Sequence, residues 1–310
     1  MKTVRIGYLS TIYHTAHILK RSAWLDKLGV SSSWRLFGTG PAMVEAFAAV
    51  EIELGYIGLP PAMIGIDRGV PLRCIAGGHV EGTIMIGGGS YAPLRRTGSL
   101  QEALGQFAGK KIGAPARGSI HDVIIRFLLQ KFQIAGASVI NFPWADLIPA
   151  AIAEGEIDGA VGTPQLAVAA RQFYGQDIVL PPDAIWPFNP SYGIVVRQEL
   201  LKEAALLRGF LELHEKACNV MRLHREKAAA QLAQENRAMS PDFILKTCAL
   251  SPKYCASLPD EYIQSTLAFV PVLMNMGYLK RSLTREDIFD CSFIEAAHPE
   301  PHHYYNKFKV

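Results

Sequence analysis

Short apolar runs alternate with longer stretches in which apolar positions recur every three or four residues, and the pattern continues over nearly two hundred positions. "TVRIGYL" reads as a strand and "HTAHILKRSAWLDKL" as a helix. "SWRLFG" and "ELGYIG" read as two more strands, with the helix "PAMVEAFAAVE" between them and another starting at "PPAMIGIDRG". The order then returns: strands at "KKIGAP", "SVINFP" and "IDGAVG", and helices at "SIHDVIIRFLLQKF", "ADLIPAAIAEG" and "TPQLAVAARQF". Short strands alternating with amphipathic helices predict mostly parallel sheets covered on both faces.

The second set repeats the first. At a shift of 105 positions Phe37 falls on Phe142, Ala46 on Ala151, Glu51 on Glu156 and Ile52 on Ile157, with Glu53 facing Asp158. A one-residue gap brings Gly58 onto Gly162 and Pro60 onto Pro164, and upstream Gly7 meets Gly113 at a shift of 106. Their common order and offset predict an internal duplication and two α/β lobes. Beyond it, "PFNPSYGIVVRQELL" predicts an apolar strand, residues 199–236 one long amphipathic helix, and residues 260–279 another closed by Gly277. This C-terminal third is expected to wrap one or both lobes.

The helix starts bear on chemistry. Pro41 follows Gly40, Pro61 follows Pro60, Ser119 follows Gly118, and Thr163 precedes Pro164. Ser and Thr oxygens accept the unpaired N–H groups of a first turn, and Pro lacks the N–H that is not needed there. In open α/β sheets these loops lie at the carboxyl ends of the strands, where ligands bind. Each also presents the positive end of a helix dipole, which attracts an anion without a charged side chain. Two such edges facing each other would form a cleft; equally, capped helices there serve the fold alone.

Composition narrows the classes. The 310 residues are 49% hydrophobic and 19% charged, with net charge +3 and scattered Lys and Arg, which argues against nucleic acid as a partner. No apolar run reaches the roughly 18 residues a membrane span needs. "MKTVRIGYLS" goes straight into a strand without an export signal, which fits either a cytoplasmic protein or an extracytoplasmic one whose leader has been removed. Five cysteines without CxxC spacing read as buried small hydrophobes. His298, His302 and His303 cluster near the C-terminus, but without a carboxylate or Cys at metal spacing they are assigned no metal.

Four stretches together, "AFAAVEIELGYIGLPPAMIGIDRGVPLRCIAGG", "LGQFAGKKIGAPARGSIHDVIIRFLL", "AIAEGEIDGAVGTPQ" and "MNMGYLKRSLTREDIFDCSFI", carry a resemblance over nearly the whole chain. It resembles the periplasmic (extracytoplasmic) solute-binding proteins of ABC importers, in the branch for nitrate, sulfonates, taurine and thiamine-pyrimidine precursors. The resemblance implies a two-lobed type II periplasmic-binding-protein fold of the α/β class. One lobe would hold residues 1–88 plus 195–310 and the other 89–194, with hinge crossings near 87–91 and 190–194.

Carried over position by position, the resemblance puts Ser10, Thr11 and His14 at the ligand, then Gly38, Thr39 and Gly40, then Gly58, Leu59 and Pro60, and His79. The second lobe would add Arg117, Gly118, Ser119, His121, Trp144 and Thr163, with Trp186, Phe188 and Tyr192 near the second crossing. Bland readings stand beside these. Thr39 and Ser119 also read as plain caps, Arg117 as a solvated loop residue, and Trp144 and Trp186 as core. The implied function is to bind a small anionic or polar organic solute and deliver it to a permease and ATPase, as a monomer without catalysis or cofactor. The alternative is a cytoplasmic enzyme on the same scaffold, such as a desulfinase, a pyrimidine-precursor synthase or a chorismate dehydratase. Cys74 lies within five residues of His79, near enough in sequence for a thiol–imidazole pair, but it falls in the apolar strand "PLRCIAGG" and reads as a core residue.

Overall fold

The computed structural model describes residues 3–236 and 238–305. Strands β1 (Thr3–Leu9), β2 (Ser31–Phe37), β3 (Leu54–Ile57), β4 (Leu72–Val80) and β10 (Pro190–Arg197) form a first sheet in the order β2-β1-β3-β10-β4. Strands β5 (Ile84–Gly87), β6 (Lys111–Pro115), β7 (Ser138–Phe142), β8 (Gly159–Gly162) and β9 (Asp177–Leu180) form a second in the order β7-β6-β8-β5-β9. The first three strands of each are parallel, and the fourth, β10 or β5, enters antiparallel. The protein is two mixed five-stranded sheets flanked by helices, the α/β architecture the sequence implied.

The duplication survives at the level of single hydrogen bonds. Glu53 N–H donates to Arg5 O at 2.9 Å, and Asp158 N–H to Lys111 O at 2.8 Å. The carboxylates return the contact, Glu53 accepting from Arg5 N and Asp158 from Lys111 N. Glu51 N–H reaches Ala46 O and Glu156 N–H reaches Ala151 O, each at 2.9 Å. Gly7 lies so close to Ile52 that a Cβ would sit 2.8 Å from its Cδ1, and Gly113 stands likewise 2.5 Å from Ile157. Each unit thus packs one isoleucine under its central strand, which leaves space only for glycine on the strand before.

The helices that matter to function are α1 (Ala16–Arg21), α2 (Gly40–Ala48), α3 (Leu59–Asp67), α4 (Ile120–Lys131), α5 (Ile148–Ala153) and α6 (Pro164–Tyr174). The C-terminal third adds α7 (Ala204–Leu223), α8 (Arg225–Glu235), α9 (Pro241–Leu250), α10 (Asp260–Leu267), α11 (Phe269–Asn275) and α12 (Ser292–Ala297). Three expected helices are shorter than their apolar pattern. The one expected from residue 14 shrinks to α1 and a 3₁₀ turn, because residues 11–14 close turns of their own, His14 N–H donating to Thr11 O at 3.0 Å. The one expected over 199–236 breaks at His224 (φ −133°, ψ 51°), which ends α7 and starts α8 so that α8 packs on α9 while α7 packs on α12. The one expected over 260–279 divides at Ala268 into α10 and α11.

The chain passes from the first sheet to the second at residues 81–83, between β4 and β5, and returns at residues 181–189, between β9 and β10. Both passages lie elsewhere than expected. Gly87 is an interior ladder residue of the second sheet, paired with Gly159 and Asp177, and residues 190–194 already pair with β4 and β3. Glycines drew the expectation, but the left-handed positions there belong to Glu81 (φ 59°) and Phe188 (φ 57°). Two bonds hold them: Glu81 N–H donates to Asn189 O at 2.8 Å, and Phe188 N–H to Glu81 Oε1 at 2.9 Å. The Glu81 carboxylate, almost fully buried, also pairs with Lys253. A network of this kind sustains backbone conformations that cost about 1–3 kcal/mol each.

The core is unequal. The first sheet, the C-terminal helices and the inward faces of both lobes share one apolar cluster containing Phe47, Tyr56, Tyr192, Tyr254, Tyr262 and Phe269. A smaller cluster of Ile84, Ile86, Ile148, Ile152, Ile157 and Leu166 lies under α5 and α6 on the second sheet.

Candidate functional site

Four helices begin where the carboxyl ends of the two sets of strands face each other. Thr39 caps α2 by accepting from Ala42 N at 3.4 Å, and Gly58 leads into α3, whose first turn holds Pro60 and Pro61. Across the gap Ser119 caps α4 through Asp122 N at 3.3 Å, and Thr163 caps α6 through Leu166 N at 3.2 Å. One hydroxyl satisfies only part of a first turn, so the remaining amides and the dipoles give the gap a positive potential.

The gap encloses a cavity of about 40 Å³. That exceeds the roughly 10–15 Å³ a single water needs on the same measure and suits a group the size of a small oxyanion. Ser10, Thr11, His14, Gly38, Thr39, Gly40 and Gly58 line it from the first lobe, and Ser119, His121 and Thr163 from the second. Among the described residues no Lys, Arg, Asp or Glu lines it.

Two lining residues stand out. Thr11 Oγ1 and His14 Nδ1 are buried without a hydrogen-bond partner, although their residues are only 8% and 1% exposed. An unpaired buried polar atom costs about 1–3 kcal/mol, which a ligand bonded to it would remove. The second lobe's imidazole differs: His121 Nδ1 lies 3.0 Å from Thr83 Oγ1, on the first passage between the sheets. Both rings are held neutral. Burial pushes the His121 pKa down to about 4; burial, then the neighbouring charges of His17, His79 and His121, pushes His14 well below its ordinary value. Tyr13, missed in the sequence although it lies between Thr11 and His14, also lines the cavity and pairs with Ser191 at 3.0 Å. Ser191 lines it too, from a stretch read only as a crossing. Leu9, Pro61, Pro115, Ile120 and Ala145 complete the wall, small or apolar residues that carry no chemical signal in the sequence.

The rims touch around this cavity. Ser10 Oγ donates to Asp146 Oδ2 at 3.3 Å, and Ile12 N–H to Gln165 Oε1 at 2.9 Å. Desolvation raises the Asp146 pKa, while the Ser10 contact opposes the rise. Gly38 faces Trp144 so closely that a Cβ would stand 2.7 Å from its ring and 2.9 Å from Pro143 O.

Several expected site residues lie elsewhere. Trp144 is 40% exposed and seals the rim against Gly38. Leu59 and Pro60 are buried beneath the first turn of α3, and Pro61 takes their place at the wall. Arg117 is exposed and donates to Tyr278 OH at 3.1 Å; Gly118 donates its N–H to Asp122, off the wall. Trp186 stacks on Phe269 at 3.9 Å, and Phe188 packs against Tyr304 and Tyr305. Tyr192 and His79 form a layer behind the wall: Tyr192 lies 4.1 Å from His14 between ring centres and bonds Thr15, and His79 Nε2 bonds Ser251 O. Cys74 turns to Ala76 O at 3.3 Å, so it forms no pair with His79, and burial raises its pKa. Trp186, Phe188, Tyr192, His79 and Arg117 are large or charged side chains that found partners in the protein which their sequence positions did not reveal.

Beyond Ala145 and Thr163, which both spaces share, a wider groove of about 440 Å³ opens between α5, α6 and α9, lined by Phe173, Tyr174, Met239 and Phe243 among others. It holds more room, but among the described residues no unpaired buried polar atom belongs to its lining. Among the described residues no helix is long and apolar enough to cross a membrane.

Two α/β lobes whose helix N-termini enclose a small cavity define the type II periplasmic-binding-protein fold, the architecture of solute-binding proteins. Residues 1–235 match the model of the NMT1-like family, and the chain belongs to that family. A ligand-binding component of an ABC-type import system from Staphylococcus aureus, solved with zinc bound, superposes with a TM-score of 0.78 at 17% identity, covering 97% of this chain and 100% of that one. The alkanesulfonate-binding protein SsuA from Xanthomonas axonopodis, bound to MOPS, gives 0.78 at 16% identity over 93% and 98%. The periplasmic nitrate-binding protein NrtA from Synechocystis gives 0.76 at 15% identity over 96% and 89%. A protein of Brucella abortus named as a binding protein is 27% identical over 162 residues, 51% of this chain and 46% of its own. The chain thus spans about half the length of the curated relatives it matches.

Proposed function

We propose that this protein is the solute-recognition component of an ABC importer and acts outside the cytoplasm, handing its solute to a permease driven by an ATPase. The solute has a small anionic or strongly polar head that accepts and donates hydrogen bonds. The observation that carries this reading is that Thr11 and His14, whose Oγ1 and Nδ1 atoms are buried and unpaired, line a cavity ringed by four helix N-termini. A cation finds no carboxylate on that wall and meets the wrong end of every dipole. The space admits a head about as large as nitrate, bicarbonate or a sulfonate group, and an organic tail would extend into the wider groove. The likeness to binding proteins favours binding alone over an enzyme.

Binding works through closure. A solute that touches both rims only when they meet shifts the equilibrium by its differential affinity. A dissociation constant of about 0.1–10 μM is expected for the right solute. Thermal-shift and calorimetric titration with nitrate, bicarbonate, taurine, alkanesulfonates, aromatic carboxylates and pyrimidines tests the reading. At least one compound must raise Tm and bind in that range, with Thr11→Val weakening it about tenfold or more, as loss of one buried hydrogen bond of about 1.4 kcal/mol would. Silence across the panel, or an affinity indifferent to Thr11→Val, ends it.

A further inference from the structure

Outside the cavity wall, four residues distant in sequence bring their donor atoms to one point. Glu215 comes from α7, Cys255 from the loop 251–259, His298 from the end of α12 and His303 from the C-terminal segment. All four donor atoms lie within 4.8 Å of one another. Cys255 Sγ stands 3.5 Å from His298 Nε2 and 3.8 Å from His303 Nδ1, and the two ring nitrogens are 3.2 Å apart. Glu215 Oε1 lies 3.8 Å from His298 Nε2 and 3.4 Å from His303 Nδ1.

These separations have a geometric meaning. Bonds of 2.0–2.3 Å from a tetrahedral zinc ion to nitrogen, oxygen and sulfur make the edges of the tetrahedron roughly 3.3–3.6 Å. Five of the six edges here run from 3.2 to 3.8 Å. Hydrogen bonding accounts for the cluster poorly, since one thiol and two imidazoles cannot supply protons to all of these edges. From this geometry we propose that Glu215, Cys255, His298 and His303 form a closed, four-ligand zinc site.

The surroundings fit that role. Backbone N–H groups of His303 and Ser257 point at Cys255 Sγ at 3.3 and 3.5 Å, the environment a thiolate uses. Ala256 N–H holds Glu215 Oε2 at 2.8 Å, and Arg222 approaches Oε1 at 3.4 Å, so the carboxylate is oriented and its charge balanced. The far nitrogen of His298 lies 3.5 Å from Glu300 Oε2 without a hydrogen bond between them, so that a small shift of this exposed carboxylate would supply the partner that zinc-bound imidazoles commonly have. One thiolate, two imidazoles and a carboxylate suit zinc better than calcium or magnesium, and four protein ligands leave no open position for catalysis. His298 and His303 were visible in sequence as a cluster with no acidic or sulfur partner; the fold supplies both.

The site would fasten the C-terminal segment where it meets both passages between the lobes. Tyr304 OH donates to Cys255 O at 2.7 Å, Tyr305 OH to Glu81 Oε1 at 3.1 Å, and both rings pack on Phe188.

The test uses the full chain, reduced, stripped with a chelator and then titrated with zinc chloride or cobalt(II) chloride. One equivalent of zinc is expected to remain after desalting and to raise Tm, and cobalt to give a thiolate charge-transfer band with the visible bands of a tetrahedral ion. Cys255→Ser and, separately, His303→Ala must each weaken zinc binding by more than the roughly 10–100-fold that loss of an outer-shell partner costs. His302→Ala, which changes a ring packed on Phe188, must leave it unchanged. His303→Ala alters a half-buried residue near the end of the chain, so it serves if Cys255→Ser fails to fold. Absence of retained zinc, a cobalt spectrum without the thiolate band, or full binding by His303→Ala overturns the site. Because the solute panel reads the other cavity, neither result stands in for the other.

Discussion

At the rim of the first lobe, Thr11 and His14 keep buried polar atoms without partners, whereas the second lobe's residues are satisfied within the protein. His121 leans on Thr83, and Ser119 and Thr163 cap their own helices. The two rims descend from one repeated unit, so the difference lies in what was added around them. Most of the C-terminal third packs on the first sheet and its helices, with α9 against α6 of the second, and the first core holds Tyr192, Tyr254 and Tyr262 behind the loop that bears His14. That backing can hold a loop with unpaired groups in place. The second lobe has a smaller private core and rims built of caps. On the function proposed above, recognition would concentrate on the better supported half and the other half would contribute closure.

This contrast can be broken by acid. His79 and His121, fully buried, have pKa values pushed down by burial to about 3 and about 4. Below the ordinary value near 6.5 the unfolded chain takes up protons that the folded protein refuses. Their stability contribution is therefore whole above that value and declines as pH falls toward 4, by about 1.4 kcal/mol per pH unit for each ring. Unfolding free energies between pH 7 and 4 should lose several kcal/mol, and His121→Asn should flatten the profile. An unchanged slope in that variant would mean the second lobe's ring is not buried as described.

Next in size is the clamp both lobes share. Glu81→Ala leaves Lys253 without its buried partner and removes the acceptor of Phe188 N–H, and should cost about 3–5 kcal/mol in urea unfolding. A cost under about 1 kcal/mol would show that the passages are held by other means.

Gly38→Ala tests closure alone. The new methyl meets Trp144 and the Pro143 carbonyl only when the rims are shut, an overpacking worth about 1–3 kcal/mol against the closed form. Solute affinity should fall about tenfold while the unfolding midpoint without solute barely moves. Equal loss of stability and affinity would argue that the two halves do not separate. Smallest is the pair of caps. Ser119→Ala and Thr163→Ala should each cost about 1 kcal/mol of stability, and the comparison sharpens if both weaken solute binding less than Thr11→Val does.

The repeat was legible because it rests on short-range rules. Strand, capped helix and buried glycine recur at a constant offset, and Gly7 against Ile52 and Gly113 against Ile157 turned out to be the same contact made twice. The small polar wall residues were legible for the same reason, since Ser119, Thr39 and Thr163 announce helix starts. The aromatic and basic candidates were not. Trp186 found Phe269 and Arg117 found Tyr278, partners 83 and 161 positions away. Such residues are large enough to be satisfied almost anywhere, so their place depends on the whole fold.

Periodicity and punctuation along the chain by themselves determined two sister α/β units with amide-rich edges, because those signals act between residues a few positions apart. Only the tertiary structure decided which edges meet, which polar atoms are left unpaired between them, and that Glu215 and Cys255 join the histidines near the C-terminus. Those outcomes come from long-range packing, in which a donor's partner is chosen by the path of the backbone and not by its neighbours in sequence.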